Sequence, residues 1–593
     1  MLTSTTDTSQ SAHRHQSTLE SKTLVWTWLG YLLVALPVVV FALVWNAYAI
    51  NIPKWDDHAL RAFLYYSDQE TTFSGKIYQL FKQHNEHRIV YDRIVTLLDY
   101  WLFSKLNFVH LMVVGNLSLV GLLALFIAVL NRAGKSILYA IPVSLLIFNL
   151  SHWENMYWGM AALQNFSVVL WIIAAFYFLS YTRHWGLAFI AATLATITSG
   201  NGLVVWPIGL LIILLRSTTS GNRTLRSLIS WLVGGGIVIG LYFTGFEKPQ
   251  DIAYVRPGII DLLKGWFAFT GAAAEVVPIG SPLRSSIALG GLMAIISIGL
   301  IGWSVFRYRF AIANAVRNLL RLKSSEKTNQ EAIPAITLFF WACAAFLLGT
   351  AAIVAWARTG FGAEILITSR YKMYSLTLLA LLYVYLIATS GERIGRWLLV
   401  GGGVGAVAFA AISYLSFLDE TIWWRHWFTT SQFNWTYTTN SPVATSDSVS
   451  EHYTDSAPAF YDSHLQTIYA PAQKPVTDLQ VSKVANAFMV QNSTIPAGGL
   501  GDNGTYLIAR SDKRTYLFPV WQNLRSIRSA KFMPANLFTD GFKGRFLSID
   551  LEHGTYQLFI LTISDNNRKA EIYPTNQTIF TEGPPVQSTS KNW

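Results

Sequence analysis

The reactive side chains of this 593-residue chain gather in a few short polar stretches set between long apolar ones. The densest runs from Pro53 to about Lys105. It opens Pro53-Lys54-Trp55-Asp56-Asp57-His58 and later reads Gln83-His84-Asn85-Glu86-His87-Arg88-Ile89-Val90-Tyr91-Asp92-Arg93. A second stretch is His152-Trp153-Glu154-Asn155-Met156-Tyr157-Trp158-Gly159, with Gln164-Asn165 a turn later. A third is Arg358-Thr359-Gly360-Phe361-Gly362-Ala363-Glu364, followed by Ser369-Arg370-Tyr371-Lys372. Together they offer carboxylates for a general base, cations for a phosphate, and aromatic rings for a sugar face or an apolar chain. Ionisable groups at a membrane are costly to keep, which makes them functional candidates by default.

The membrane setting follows from composition. The chain is 52% hydrophobic and 13% charged, about half the charge fraction of a soluble protein. Apolar segments fall at about 23–46, 108–130, 137–151, 160–180, 186–199, 203–216, 227–246, 285–306, 335–356, 373–389 and 397–417. Most reach the roughly 20 residues that a helix needs to cross a bilayer, while the third, fifth and sixth are short. The fold class is a polytopic α-helical membrane protein of about eleven spans.

The N-terminal Met1 to Lys22 is polar and Ser/Thr-rich, which predicts a disordered cytoplasmic tail. The first span is too long for a signal-peptide core and reads as a retained anchor. Alternation from an inside N-terminus puts Arg132/Lys135, Arg183, Arg216/Arg223/Arg226, the run Arg307 to Lys327, and Arg393/Arg396 in the cytoplasm, as the positive-inside rule requires. The same rule accounts for the net charge of +11 without nucleic acid. All three reactive stretches then lie on the opposite side. One cysteine, Cys343, sits in an apolar span, so no intrachain disulfide can form. Gly234-Gly235-Gly236 and Gly401-Gly402-Gly403 lie within spans, where small residues let helices approach closely.

The last part of the chain differs in kind. From about 476 it shows short alternating runs such as Thr505-Tyr506-Leu507-Ile508-Ala509, Arg545-Phe546-Leu547-Ser548-Ile549 and Tyr556-Gln557-Leu558-Phe559-Ile560. Gly, Asn and Asp punctuate them, the pattern of a small β-sandwich. Trp423-Trp424-Arg425-His426-Trp427 links it to the last span. The expected division is a tail over 1–22, a membrane domain over 23–419 whose first exterior loop is 47–107, and an exterior β-rich domain over 420–593.

The Trp-Asp-Asp-His order just after the first span is similar to the Trp-Asp-Glu-x-His of protein O-mannosyltransferases. It resembles the acidic signature in the first exterior loop of GT-C glycosyltransferases, multi-span enzymes that use polyprenyl-phosphate-linked sugars. Asn-Glu-His-Arg, Trp-Glu-Asn-x-x-Trp-Gly and Ser-Arg-Tyr resemble elements of bacterial GT-C enzymes that decorate surface polysaccharides. The architectural resemblance covers roughly residues 20–420 and does not extend to the β-rich domain. Asp57 stands where the mannosyltransferase pattern has Glu.

The resemblance implies an inverting transfer from a polyprenyl-phosphate sugar to a surface glycan or lipid-linked glycan of the O-antigen or lipopolysaccharide type. It places the protein in a bacterial inner membrane with the reaction and the β-domain on the periplasmic side. Asp56 matches the family's base, and which of Asp56 and Asp57 serves stays open. Arg370, assisted by Arg358, Lys372 or Arg88, would offset charge on the departing phosphate, since Arg binds phosphate through a planar fork. Glu86 and His87 would orient the acceptor or Asp56, and Glu154 belongs to the same set. Trp153, Trp158 or Tyr371 would pack on sugar or prenyl chain. One carboxylate suffices, because the phosphate leaves without a proton.

Structural roles compete at each position. Asp57 suits the cap of the helix beginning near Ala59, Glu86 an ion pair with Arg88 or Arg93, and Arg370 a headgroup contact. No cofactor is required. A divalent metal on Asp56, Asp57, His58, Glu86, His87, His152 or Glu154 is the minor alternative. A transporter or flippase for a lipid-linked or polar substrate is the rival function, and the short third, fifth and sixth spans favour it.

Overall fold

A computed structural model describes residues 7–85, 87–216, 221–247, 257–277, 280–319, 332–445, 448–472, 474–525 and 537–584. Among these, nine helices are long and apolar enough to cross a membrane, and Trp185–Thr198 and Gly200–Arg216 are shorter apolar helices. The eleven segments match the eleven read from hydropathy, the build of a polytopic helical membrane protein. The first helix, Asp7–Tyr48, starts inside the tail expected to be disordered; residues 1–6 lie outside the described residues.

Two basic side chains tie loops together at one end of the bundle. Lys135 Nζ donates to the Ser390 carbonyl at 3.0 Å, and Arg216 donates to the carbonyls of Leu179 and Thr182. The reactive stretches meet at the other end. Between Ile137 and Met156 the chain alternates 3-10 and α turns rather than forming one regular helix. Among the paired glycines, Gly234 and Gly235 lie under Phe189 and Trp206, yet the closest backbone approach is elsewhere: a Cβ on Gly290 would sit 1.9 Å from the Phe267 carbonyl oxygen.

The last membrane helix does not stop near 417. It runs from Glu392 to Thr436, 45 residues, or about 68 Å at 1.5 Å per residue. Its final turns carry the β-domain. That domain comprises β1 (Gln480–Val484), β2 (Ala487–Asn492), β3 (Gly504–Arg510), β4 (Thr515–Pro519), β5 (Trp521–Leu524), β6 (Phe538–Leu547), β7 (Gly554–Ser564) and β8 (Lys569–Thr581). Two four-stranded sheets form, ordered β1-β2-β6-β5 and β4-β3-β7-β8, and every pairing is antiparallel.

Phe488, Leu507, Phe518, Phe546 and Leu558 fill the space between the sheets. The outer face of the second sheet is covered too. Tyr506, Ile508, Leu517 and Leu561 pack on Phe433 of the long helix, on Tyr437 just past its end, and on Phe460 and Tyr461. Hence β3 and β4 are buried on both faces instead of alternating.

Candidate active site

The site starts with a turn. After the first span the chain bends at Trp55, whose φ of 41° is left-handed, and enters the helix Asp57–Gln69. A bulky residue in that region is strained and must be held by its surroundings. The bend sends two adjacent carboxylates to different environments. Asp57 is fully buried: its Oδ2 accepts from the Lys54 amide at 3.1 Å and its Oδ1 from the Met160 amide at 2.8 Å. Burial pushes its carboxyl up to about 7, against those two hydrogen bonds. Asp56 makes no cap hydrogen bond. Its side chain is 43% exposed, and its Oδ1 lies 3.4 Å from His84 Nε2.

His84 is presented by a tight turn in which the backbones of His84 and His87 exchange hydrogen bonds of 2.9 Å, with Asn85 at φ 48°. Glu86 lies outside the described residues. His87 faces the Gly200 turn, where a Cβ would come within 3.2 Å of its Nδ1.

Beside this pair lies a buried lysine. Lys54 Nζ sits 2.8 Å from the ring centre of Trp424, 3.8 Å from Trp55, 5.0 Å from Trp427 and 5.2 Å from Trp158. Aromatic faces attract a cation, and the ammonium has no hydrogen-bond partner among the described residues. Desolvation pushes it well below the ordinary lysine range; Glu154 and Asp57 oppose the shift and Arg370 adds to it.

Arg370 and Glu154 meet at 3.4 Å, and the guanidinium stands 5.8 Å from the Trp158 ring centre. Backbone ties fix both. The Glu154 amide donates to Ser369 Oγ at 3.1 Å, Ser369 Oγ donates to the Ser151 carbonyl at 3.0 Å, and Asn155 Nδ2 donates to the Arg370 carbonyl at 3.0 Å. Arg370 Nε has no aligned hydrogen bond among the described residues. The floor of the site thus holds Lys54 and Arg370, each with a donor to spare, and one partly exposed carboxylate.

Other candidates are engaged elsewhere. Arg88 is buried and donates to the Tyr242 carbonyl at 2.5 Å and to those of Phe81 and Thr244. It clamps the first loop to the Leu225–Phe243 span. Lys372 is 1% exposed and pairs with Glu275. Tyr371 packs on Phe269, with ring centres 5.1 Å apart. Arg358 ends the helix Ala335–Arg358, separated from Arg370 by the turns Thr359–Phe361 and Ala363–Ile367. His152 is fully buried, edge-on to Phe166. No three His, Cys, Asp or Glu side chains among the described residues converge as a metal site.

Sequence reading passed over Lys54 and His84, although both stand within the dense stretch. It read the Trp423–Trp427 run as the link from the last span to the β-rich domain, and Trp424 and Trp427 enclose Lys54. The available signal was a lysine inside a Trp-Asp motif combined with a second tryptophan cluster far along the chain. No family model, curated protein or solved structure matches this chain.

Proposed function

We propose that the chain is a GT-C-like inverting glycosyltransferase that takes a sugar from a polyprenyl-phosphate carrier. Its acceptor would be a surface glycan or lipid-linked glycan on the periplasmic face of a bacterial inner membrane. The observation that carries this reading is one partly exposed carboxylate, Asp56, backed by His84 and two residues from the buried Lys54 side chain, which neighbours Arg370.

In this mechanism Asp56 accepts the proton of the acceptor hydroxyl as its oxygen attacks the anomeric carbon. The new oxygen–carbon bond forms on the face opposite the leaving group, and the bond to the phosphate oxygen breaks with its electron pair. The proton stays on Asp56, whose orientation His84 fixes. Arg370 offsets the charge left on the polyprenyl phosphate; donors preset where charge develops are a strong source of rate. Asp57 is disfavoured as base because both of its oxygens are occupied and shut off from substrate.

The test is release of polyprenyl phosphate by purified protein from a panel of polyprenyl-phosphate sugars, with and without a lipopolysaccharide or lipid-linked glycan acceptor. Acceptor-dependent release from one donor supports the reading; no release from any donor removes it. The second reading, transport of a lipid-linked substrate, draws on the broken Ile137–Met156 segment, since interrupted spans mark transport sites. Protein-dependent translocation of a labelled lipid-linked sugar in vesicles, without transfer, would favour it.

A further inference from the structure

One turn of the long helix is gripped from all sides. Trp423 stacks on Trp521 of β5, ring centres 4.4 Å apart and 5° from parallel. Arg425 binds Asp502 through both Nε and Nη2, at 2.6 and 2.9 Å, and its Nη1 lies 3.4 Å from the Ala49 carbonyl. His426 bonds the Gly501 carbonyl at 2.9 Å, where Gly501 takes a φ of +68°. The remaining two residues, Trp424 and Trp427, supply two of the four rings around Lys54.

We infer that the β-domain is a positioning element of the Lys54 site: Asp502, acting through Arg425, holds the helix turn that closes Trp424 and Trp427 over the Lys54 ammonium. Successive helical side chains point about 100° apart, so a turn fixed at Trp423, Arg425 and His426 has no rotation left for Trp424 and Trp427. The bidentate fork gives this grip its geometry, because two parallel hydrogen bonds set the angle as well as the distance. Without it the turn can roll, and the rings leave Lys54 together. Glu154, Arg370 and Asp57 are the other charged groups near Lys54, and none touches the β-domain contact. The geometry stands apart from the transfer reading; if that reading holds, the β-domain fixes the ring enclosure that lies beside Arg370.

The test needs no substrate. Full-length protein in detergent is trace-labelled with acetic anhydride, and acetylation of each lysine is read by peptide mass spectrometry. Exposed Lys76 is the internal reference, and Lys372, 1% exposed, reports an intact fold. In the wild type Lys54 should label far more slowly than Lys76. A charge-assisted hydrogen bond is worth about 1.5–3 kcal/mol, roughly 10- to 100-fold. Asp502→Asn should therefore raise Lys54 labelling by about tenfold or more with Lys372 unchanged, and Asp502→Glu should restore most of the protection. If Asp502→Asn also exposes Lys372, Arg425→Lys, which keeps the charge and loses the fork, carries the same comparison. The inference is overturned if wild-type Lys54 labels as fast as Lys76. It is equally overturned if either variant leaves Lys54 protected beside a protected Lys372.

Discussion

Two sets of residues in and beside the first loop use the same residue types for opposite ends. In the floor, Asp56, Lys54 and Arg370 keep valences open: a half-exposed carboxylate, an ammonium with only ring faces around it, and a guanidinium with an unaligned Nε–H. In the frame, Asp57 and Arg88 are saturated, and Arg93 is tied down through Nη1 while its Nε has no partner among the described residues. Asp57 holds two amides, Arg88 three carbonyls, and Arg93 the carbonyls of Leu80 and Lys82. Burial alone does not separate the groups, since Lys54 and Asp57 are both fully buried. What separates them is whether the charged atoms have spent their hydrogen bonds on backbone. A saturated charge fixes a loop, and an unsaturated one still has donors to offer.

The sharpest way to break this comparison is to exchange the roles. Asp56→Asn should lower turnover by about 10²–10⁴-fold, the usual loss for a positioned base, with the unfolding temperature unchanged. Arg88→Ala should act the other way. It strands three buried carbonyls at about 1–3 kcal/mol each, so the recovery of folded protein should collapse, and Arg88→Lys should not rescue the planar clamp. Arg370→Lys keeps the charge but loses the fork, and should slow transfer by roughly 10- to 100-fold in an assay of polyprenyl phosphate release.

A smaller effect sharpens the contrast through pH. The Asp57 carboxyl is raised to about 7 in the folded protein, from an unfolded value near 3.9. A raised acid favours the protonated form, so its stabilising effect is complete below about 4 and is lost as pH rises through about 7. The wild type should therefore melt at lower temperature at pH 8 than at pH 6. Asp57→Asn, which lacks the titration, should show a flatter curve over that window. Equal slopes would contradict the assignment.

The membrane helices were legible because an apolar run of about 20 residues has few alternatives to spanning a bilayer. The end of the last helix was not, because Arg425 is satisfied by Asp502, seventy-seven positions away. Alternation foretold strands but not the two-sided burial of β3 and β4, since the covering residues Phe433 and Tyr461 lie outside the strand region. The same limit applied at the site. Asp56 and Asp57 look alike in sequence, and the partner that decides between them, Met160, is 103 residues on. The Lys54 enclosure joins residues from three separate stretches, Trp55, Trp158 and the Trp424–Trp427 turn, so no local pattern carries it.

The most direct test of the central claim pairs two measurements on two variants: transfer rate per folded molecule and unfolding temperature, for Asp56→Asn and Asp57→Asn. The account predicts a crossover. Asp56→Asn should lose transfer and keep its melting temperature. Asp57→Asn should lose one hydrogen bond, at a cost of about 1–3 kcal/mol, and retain near-wild-type transfer at pH 7 once corrected for folded protein. The reverse pattern, with Asp57→Asn folded but inactive and Asp56→Asn turning over like the wild type, would contradict it.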